Sequence, residues 1–265
     1  MTEALVAKFN FETRSPSKAR VDLLRELIAE ACGGVVGPAF PVIAPAMLLS
    51  HESMVQASGL MSPTDGKSTL HETQVFEVSQ QIEADQDWAV SVACARENSK
   101  VKLNCDLRIQ DHTAAGMVTR LRFIDPEEMR ALKGTAFSER LNSPDTRWVE
   151  TISFSQDFVR RYLELAGDEN PIHTDERAAK AAGLKGVVVP GMLFCAICET
   201  MAAQVVAKKN VRELRTRFLS AVRVGEAVRV GVTPKPDSVS GEWNAARVFV
   251  VSQTGMLVAI SDLKF

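Results

Sequence analysis

The sequence predicts an α+β chain built from two repeats, each a long apolar helix wrapped by an antiparallel sheet. Three observations predict it. Two apolar helical stretches each begin just after a proline, Pro45 and Pro190. Four strand-like runs follow each of them. The segments that open the helices, PVIAPAMLL (Pro41–Leu49) and GVVVPGMLF (Gly186–Phe194), align at an offset of 145 residues. A strand that alternates needs an apolar surface on its buried face, and one helix per repeat supplies it.

In chain order, Ser15 to Cys32 is helical, because Val21, Leu24, Leu27, Ile28 and Cys32 recur three and four apart. Ser15-Pro16 opens this helix and Gly33-Gly34 stops it. Pro41 to Pro45 breaks the chain, Ala46–Ser58 reads as the second helix, and Gly59–Ser68, with Pro63 and Gly66, is a loop. Strands are expected at Leu70–Gln81, Trp88–Arg96, Val101–Gln110 and Gly116–Ile124. Asp125 to Pro144 is polar and reads as connector, with a short helix at Pro126–Leu132. The second copy has helices at Ser155–Leu165, Asp175–Ala182 and Pro190–Ala207. Its strands fall near Arg215–Val222, Ala227–Pro234, Glu242–Ser252 and Met256–Leu263. The implied division is a degenerate repeat over 1–135, a linker over 136–150 and a site-bearing repeat over 151–265.

Of 265 residues, 46% are hydrophobic and 24% charged, which fits a globular domain and excludes a disordered or collagen-like chain. Lys+Arg is 31 against Asp+Glu 33, a net charge of −2, so nucleic acid is not expected as a partner. No apolar run reaches the roughly 18–20 residues of a membrane span, and no membrane partner is expected. The start lacks a signal-peptide apolar stretch, which points to the cytoplasm. An odd set of five cysteines then reads as reduced core residues.

The dense local feature is Gly167 to His173, which holds a carboxylate (Asp168), an amide (Asn170) and an imidazole (His173) around a proline-fixed turn. Asp168 and His173 are five apart, off a common helical face, but a bend at Asn170-Pro171 can bring both to one pocket. Adding or removing water needs such a pair, one group accepting a proton while the other donates. Asn170 either orients one of them or closes the turn. Taken alone, such a string is more often a plain Asx-Pro turn than a site.

Taken with its surroundings, the segment resembles the signature of the MaoC-like, (R)-specific enoyl-thioester hydratases, the hydratase 2 family. The matching residues are Tyr162, Leu165-Ala166, Gly167-Asp168-Glu169-Asn170-Pro171-Ile172-His173, the Ala-rich Ala178–Ala182 and Pro190-Gly191-Met192, with Leu214–Phe218 and Val224-Gly225-Glu226 downstream. The resemblance covers Phe154–Phe265 and reaches the first half by architecture only. It implies a double hot-dog fold and reversible hydration of trans-2-enoyl thioesters to (R)-3-hydroxyacyl thioesters. It also implies no separate cofactor, with CoA or acyl carrier protein entering as part of the substrate. By position, Asp168 and His173 hold the water, Asn170 supports them and the Gly191 amide binds the thioester oxygen. A free amide at a helix N-terminus suits developing negative charge on physical grounds too. Where the family often has His, this chain has Pro190, so contacts at the substrate edge are expected to differ.

At the 145 offset, Asp168, Asn170, His173 and Gly191 fall on Leu23, Arg25, Ile28 and Ala46, so the first half has the pattern without the chemistry. It is free to hold the acyl tail, with Gly59–Ser68 as the expected region. His71-Glu72 reads as a solvated edge, His112 as a surface turn, and His51-Glu52 as exposed or at the interface between halves. Cys195-x-x-Cys198 lies in an apolar helix without a second ligand pair, so no metal is expected. Arg215, Arg217 and Arg223 are available to CoA phosphates, and Lys208-Lys209 complements a helix C-terminus. Two other functions share this architecture, an acyl-thioesterase and a non-catalytic acyl-thioester-binding subunit. The sequence leaves the oligomeric state open, a homodimer among the options.

Overall fold

The computed structural model describes residues 5–48, 59–61, 63, 66–206, 210–236 and 243–265. Its frame is one antiparallel sheet in the order β1-β3-β4-β5-β2-β8-β11-β10-β9-β7. The first half contributes β1 (Leu5–Arg14), β2 (Ser68–Val78), β3 (Asp87–Glu97), β4 (Lys100–Ile109) and β5 (His112–Ile124). The second contributes β7 (Arg147–Glu150), β8 (Glu213–Phe218), β9 (Val228–Pro236), β10 (Trp243–Ser252) and β11 (Met256–Lys264), with the two-residue β6 (Thr135–Ala136) on β11. Exchanging β1 for β7, β2 for β8, and so on, turns the order into its own reverse. The repeat seen in PVIAPAMLL and GVVVPGMLF is therefore a repeat of whole half-sheets. They join edge to edge at β2–β8, from Thr73↔Arg217 to Glu77↔Glu213.

Among the described residues each half gives five strands to the main path of the sheet, not four, with the two-residue β6 besides. The strands missed are β1 and β7, the two outer edges of the sheet. β1 shows one exposed or half-buried side chain after another, with no fully buried position, so its alternation carries little apolar signal. β7 is four residues long. Edge strands are commonly short or charged, which hinders pairing with other chains.

Five α-helices are present among the described residues: α1 (Lys18–Ala31), α2 (Pro126–Ala131), α3 (Gln156–Ala166), α4 (Glu176–Ala181) and α5 (Gly191–Val205). Every residue of α5 from Leu193 to Ala203 is buried, as expected of a helix apolar on all sides. It packs against β8, β9, β10, β11 and α1. In the first half, Ala44–Leu48 is a 3-10 turn; the remainder of the expected second helix, with His51-Glu52, lies outside the described residues, as does Lys208-Lys209. Leu24, Ile43 and Phe76 belong to the same apolar core as Phe158, Phe194 and Val248, so the halves share one interior.

The structure also corrects the offset used for the silent half. α1 ends at the Cys32 cap with Gly33 at φ 67, and α3 ends at Gly167 at φ 70. Aligning these stops places Asp168 on Gly34, Asn170 on Val36 and His173 on Ala39, not on Leu23, Arg25 and Ile28. The second half gains residues between its helix stop and Pro190, including α4. The silent half lacks the polar groups in either alignment.

Glu199 sits inside α5 at 2% exposure. The Val42 amide donates to both of its oxygens, at 3.0 and 2.9 Å, so the central helix of one half holds the proline-rich segment of the other. Burial pushes this carboxyl up to about 8 from 4.5. The folded state then keeps a proton that the unfolded chain releases. That stabilisation is complete below about pH 4.5 and is lost as pH rises through about 8. Glu199→Gln keeps an acceptor for Val42 and removes the titration. At pH 8 its Tm should exceed that of the wild type by roughly 2–4 °C, the shift that about 1 kcal/mol produces in a chain of this size. Equal losses in both proteins between pH 5 and 8 would refute this.

Candidate active site

The site begins at the end of α3. Ser155 caps that helix, its hydroxyl accepting from the Phe158 amide at 3.1 Å. Gly167 ends it in the left-handed region, where glycine carries no Cβ penalty. The Gly167 and Asp168 amides both donate to the Leu163 carbonyl, at 2.7 and 3.1 Å, which fixes where Asp168 leaves the helix.

Asn170 then does both things the sequence allowed. Its backbone amide donates to Asp168 Oδ1 at 3.0 Å. Its side-chain oxygen accepts from the Ile172 amide at 3.3 Å and closes the turn Pro171–His173. Its side chain therefore serves the turn, and its backbone orients the carboxylate.

His173 is buried, with its side chain 9% exposed against 36% for Asp168. Its Nδ1 lies 2.7 Å from the Val188 carbonyl. A carbonyl only accepts, so Nδ1 carries the hydrogen and the Nε2 lone pair is left facing the cavity. Nε2 is 3.7 Å from Asp168 Oδ2, too long for a direct hydrogen bond. A water oxygen placed about 2.8 Å from each closes a triangle over that gap. Gln156 Nε2 donates to the His173 carbonyl at 3.1 Å, tying the turn to the first turn of α3.

The segment that receives His173 leads directly to Gly191. Val189 N bonds the Val222 carbonyl at 2.8 Å, and Val224 N the Val187 carbonyl at 3.1 Å. This short extended stretch then enters α5 through Pro190, the cap residue. Gly191 is the first helical residue, and a first-turn amide has no partner within its own helix. A Cβ here would stand 3.2 Å from Phe218 Cε1, so a larger residue would require that ring to give way by a few tenths of an ångström.

Asp168, His173 and Gly191 line one cavity of about 1670 Å³. Both halves enclose it, since Leu24, Ile43, Met47 and Leu121 of the silent half contribute apolar wall. Of the Gly59–Ser68 loop, no described residue lines it. The connector helix α2 closes one side. Gly183, at φ 87, lies against the Pro126 carbonyl so closely that no side chain fits, and the nearby Arg130 and Lys133 line the cavity with Lys185.

His71 is not a solvated edge. It is half-buried on β2, lines this same cavity, and packs on Phe218 with ring centroids 4.5 Å apart. Burial pushes its imidazole down to about 4. Sequence reasoning missed it because a bulge, invisible in the pattern, sets which way it points. His112 is exposed at the β4–β5 turn. Arg215 and Arg223 pair with Glu213 and Glu226 at 3.4 and 2.9 Å, and Arg217 is exposed on β8. Cys195 and Cys198 are buried in α5, with burial pushing both thiols up, Cys198 to about 12. No group of His, Cys, Asp or Glu among the described residues is arranged to hold a metal.

Residues 140–243 match the family model described as a MaoC like domain. A curated UPF0336 protein of Streptomyces avermitilis is 44% identical over 48 residues, 18% of this chain and 32% of that protein. The match thus spans about a third of that relative. Among solved structures, HtdX of Mycobacterium tuberculosis superposes with a TM-score of 0.69 at 18% identity, covering 97% of this chain and 98% of that one. A MaoC-like dehydratase from Phytophthora capsici gives 0.67 at 11% identity, over 100% and 95%. A 12:0-ACP thioesterase from Umbellularia californica gives 0.59 at 9% identity, over 98% and 93%. The fold is the double hot dog, and at these identities the superpositions speak for the fold alone. A dehydratase and a thioesterase both share it, so the chemistry must be argued from the site.

Proposed function

We propose that the protein hydrates trans-2-enoyl thioesters to (R)-3-hydroxyacyl thioesters, and dehydrates them in reverse, a reading supported by the match of residues 140–243 to the MaoC like domain model. The observation that carries this is the Asp168–His173 pair, 3.7 Å apart, in one cavity with Gly191. Water held between carboxylate and imidazole adds its oxygen to C3 as the C2=C3 double bond breaks, and the proton that the water gives up passes through the pair to C2. The Nε2 lone pair of His173 is the basic atom facing that water. As electrons move toward the thioester, its oxygen gains charge beside the Gly191 N–H, at the positive end of α5. A hydrolase would instead direct water at the carbonyl carbon and release the thiol.

The cavity suits a substrate of two characters. Its inner wall is apolar and comes partly from the silent half, which suits an acyl chain. Its exposed Arg130, Lys133 and Lys185 suit the phosphate-bearing handle of CoA or of acyl carrier protein. No cofactor takes part in these steps. No helix among the described residues is long and apolar enough to cross a membrane.

The test is a panel of trans-2-enoyl-CoAs of differing length, followed by loss of the conjugated-thioester absorbance, with thiol release assayed in parallel. Loss of conjugation without free thiol is expected. The product coupled to an (S)-specific 3-hydroxyacyl dehydrogenase should give no NADH. Thiol release without hydration would favour the thioesterase, and rapid NADH formation would exclude the (R) product.

A further inference from the structure

Where β2 leaves the seam between the halves it carries a bulge. His71 pairs with Leu121 and Thr73 with Arg120, so Glu72 is an extra residue. A bulge re-aims the side chains beside it. Glu72 forms an ion pair with Arg122, Oε1 to Nε 3.0 Å, while His71 turns into the cavity that holds Asp168, His173 and Gly191.

The His71 ring is held from behind. Gln74 Oε1 lies 3.2 Å from its Nε2 and also accepts from the Thr119 hydroxyl at 2.8 Å. An amide oxygen only accepts, so Nε2 is the donor. Gln74 and Thr119 are 0% and 2% exposed, so the ring is anchored to groups that do not turn toward solvent. Its neutral state, favoured by burial, leaves an uncharged ring tilted 51° against Phe218. Phe218 ends β8, and its ring packs close to position 191, its Cε1 standing 3.2 Å from where a Cβ there would lie, tighter than most Cβ contacts. A continuous series of contacts thus runs from the silent half's sheet, through two rings, to the first residue of α5.

We propose that His71 is a positioning residue for the thioester-binding amide: locked by Gln74 and Thr119, it holds Phe218 against Gly191 and so fixes the first turn of α5. The silent half, without acid or base of its own, then acts on the chemistry through packing. The proposal rests on the hydratase reading for what Gly191 binds, but the packing it describes is measurable without turnover.

The experiment compares His71→Ala, Phe218→Ala, the double variant and Gln74→Leu with wild type, on a C4 and a C12 enoyl-CoA. Misplacing a donor lowers kcat, by between about 10- and 100-fold for a shift near 1 Å, and leaves KM nearly unchanged. His71→Ala should therefore lose kcat equally on both substrates. The double variant should be little worse than Phe218→Ala, because both act on one contact. Gln74→Leu, which keeps the ring and frees it, should show a smaller loss in the same direction. A loss confined to KM on the C12 substrate would make His71 a wall of the acyl channel and overturn the proposal, as would additive losses in the double variant. Independently of activity, the Gly191 amide resonance should shift in His71→Ala. An unmoved resonance overturns the proposal. A shifted resonance in a protein that hydrates nothing sinks the hydratase reading and leaves the packing intact.

Discussion

Asp168→Asn and His173→Asn should each lower hydration by at least roughly 10²-fold, the scale of a positioned acid–base group, while the protein stays folded. Asn at 168 is nearly isosteric and keeps an oxygen for the Asn170 amide, which donates to Oδ1 at 3.0 Å, so the turn survives. What is lost is a negative acceptor facing the imidazole. Asn at 173 removes the Nε2 lone pair and leaves a small void in a buried site, so this variant should melt somewhat lower and still be native by circular dichroism. Kinetics are read below both melting temperatures. A folded variant with near-wild-type kcat would show that its side chain does not handle the water. An acyl-binding subunit would have no turnover to lose in either variant.

Separating the halves should abolish hydration. The natural cut follows Leu132, because Thr135–Ala136 pairs with β11 and Phe137 packs edge-on against Trp148 and Phe249. Residues 133–265 alone would expose the β8 edge that meets β2 from Thr73↔Arg217 to Glu77↔Glu213. They would also expose the part of the core now covered by Leu24, Ile43 and Phe76. A bare strand edge beside an apolar patch favours aggregation or self-pairing. The cavity would lose one wall and Phe218 its backing ring. Residues 1–132 should show no hydration, since Gly34, Val36 and Ala39 stand where Asp168, Asn170 and His173 stand in the other half. Mixing the two fragments should restore part of the activity. Full activity from a monomeric 133–265 fragment would mean that the halves are independent.

What the sequence disclosed follows from how local each signal is. α5 was legible because Pro190 opens it and nearly every residue inside is apolar. The turn around Asp168 and His173 was legible because Gly167, Asn170 and Pro171 act within seven residues, and the structure adds the Nδ1–Val188 bond that sets the tautomer. Strands β1 and β7 were not, since an outer edge is half solvated and shows little apolar alternation. His71 was not, because one extra residue in β2 reverses the facing of its side chain, and only the pairing with β5 reveals it. The contact of Phe218 with Gly191 joins residues 27 apart in sequence through the sheet, which no local pattern encodes. The silent half was recognised by what it lacks, yet the offset of 145 misplaced its counterparts, because the second half carries extra residues before Pro190.

The central claim is that Asp168 and His173 act on one water as a single device, and the double variant Asp168→Asn/His173→Asn tests it most directly. Groups that work as a unit are strongly non-additive, because the first loss already disables the step the second would impair. On a single enoyl-CoA, with each protein confirmed folded, kcat of the double variant should fall within about 10-fold of the worse single variant. Losses that multiply would place the two groups in separate steps and contradict the shared water.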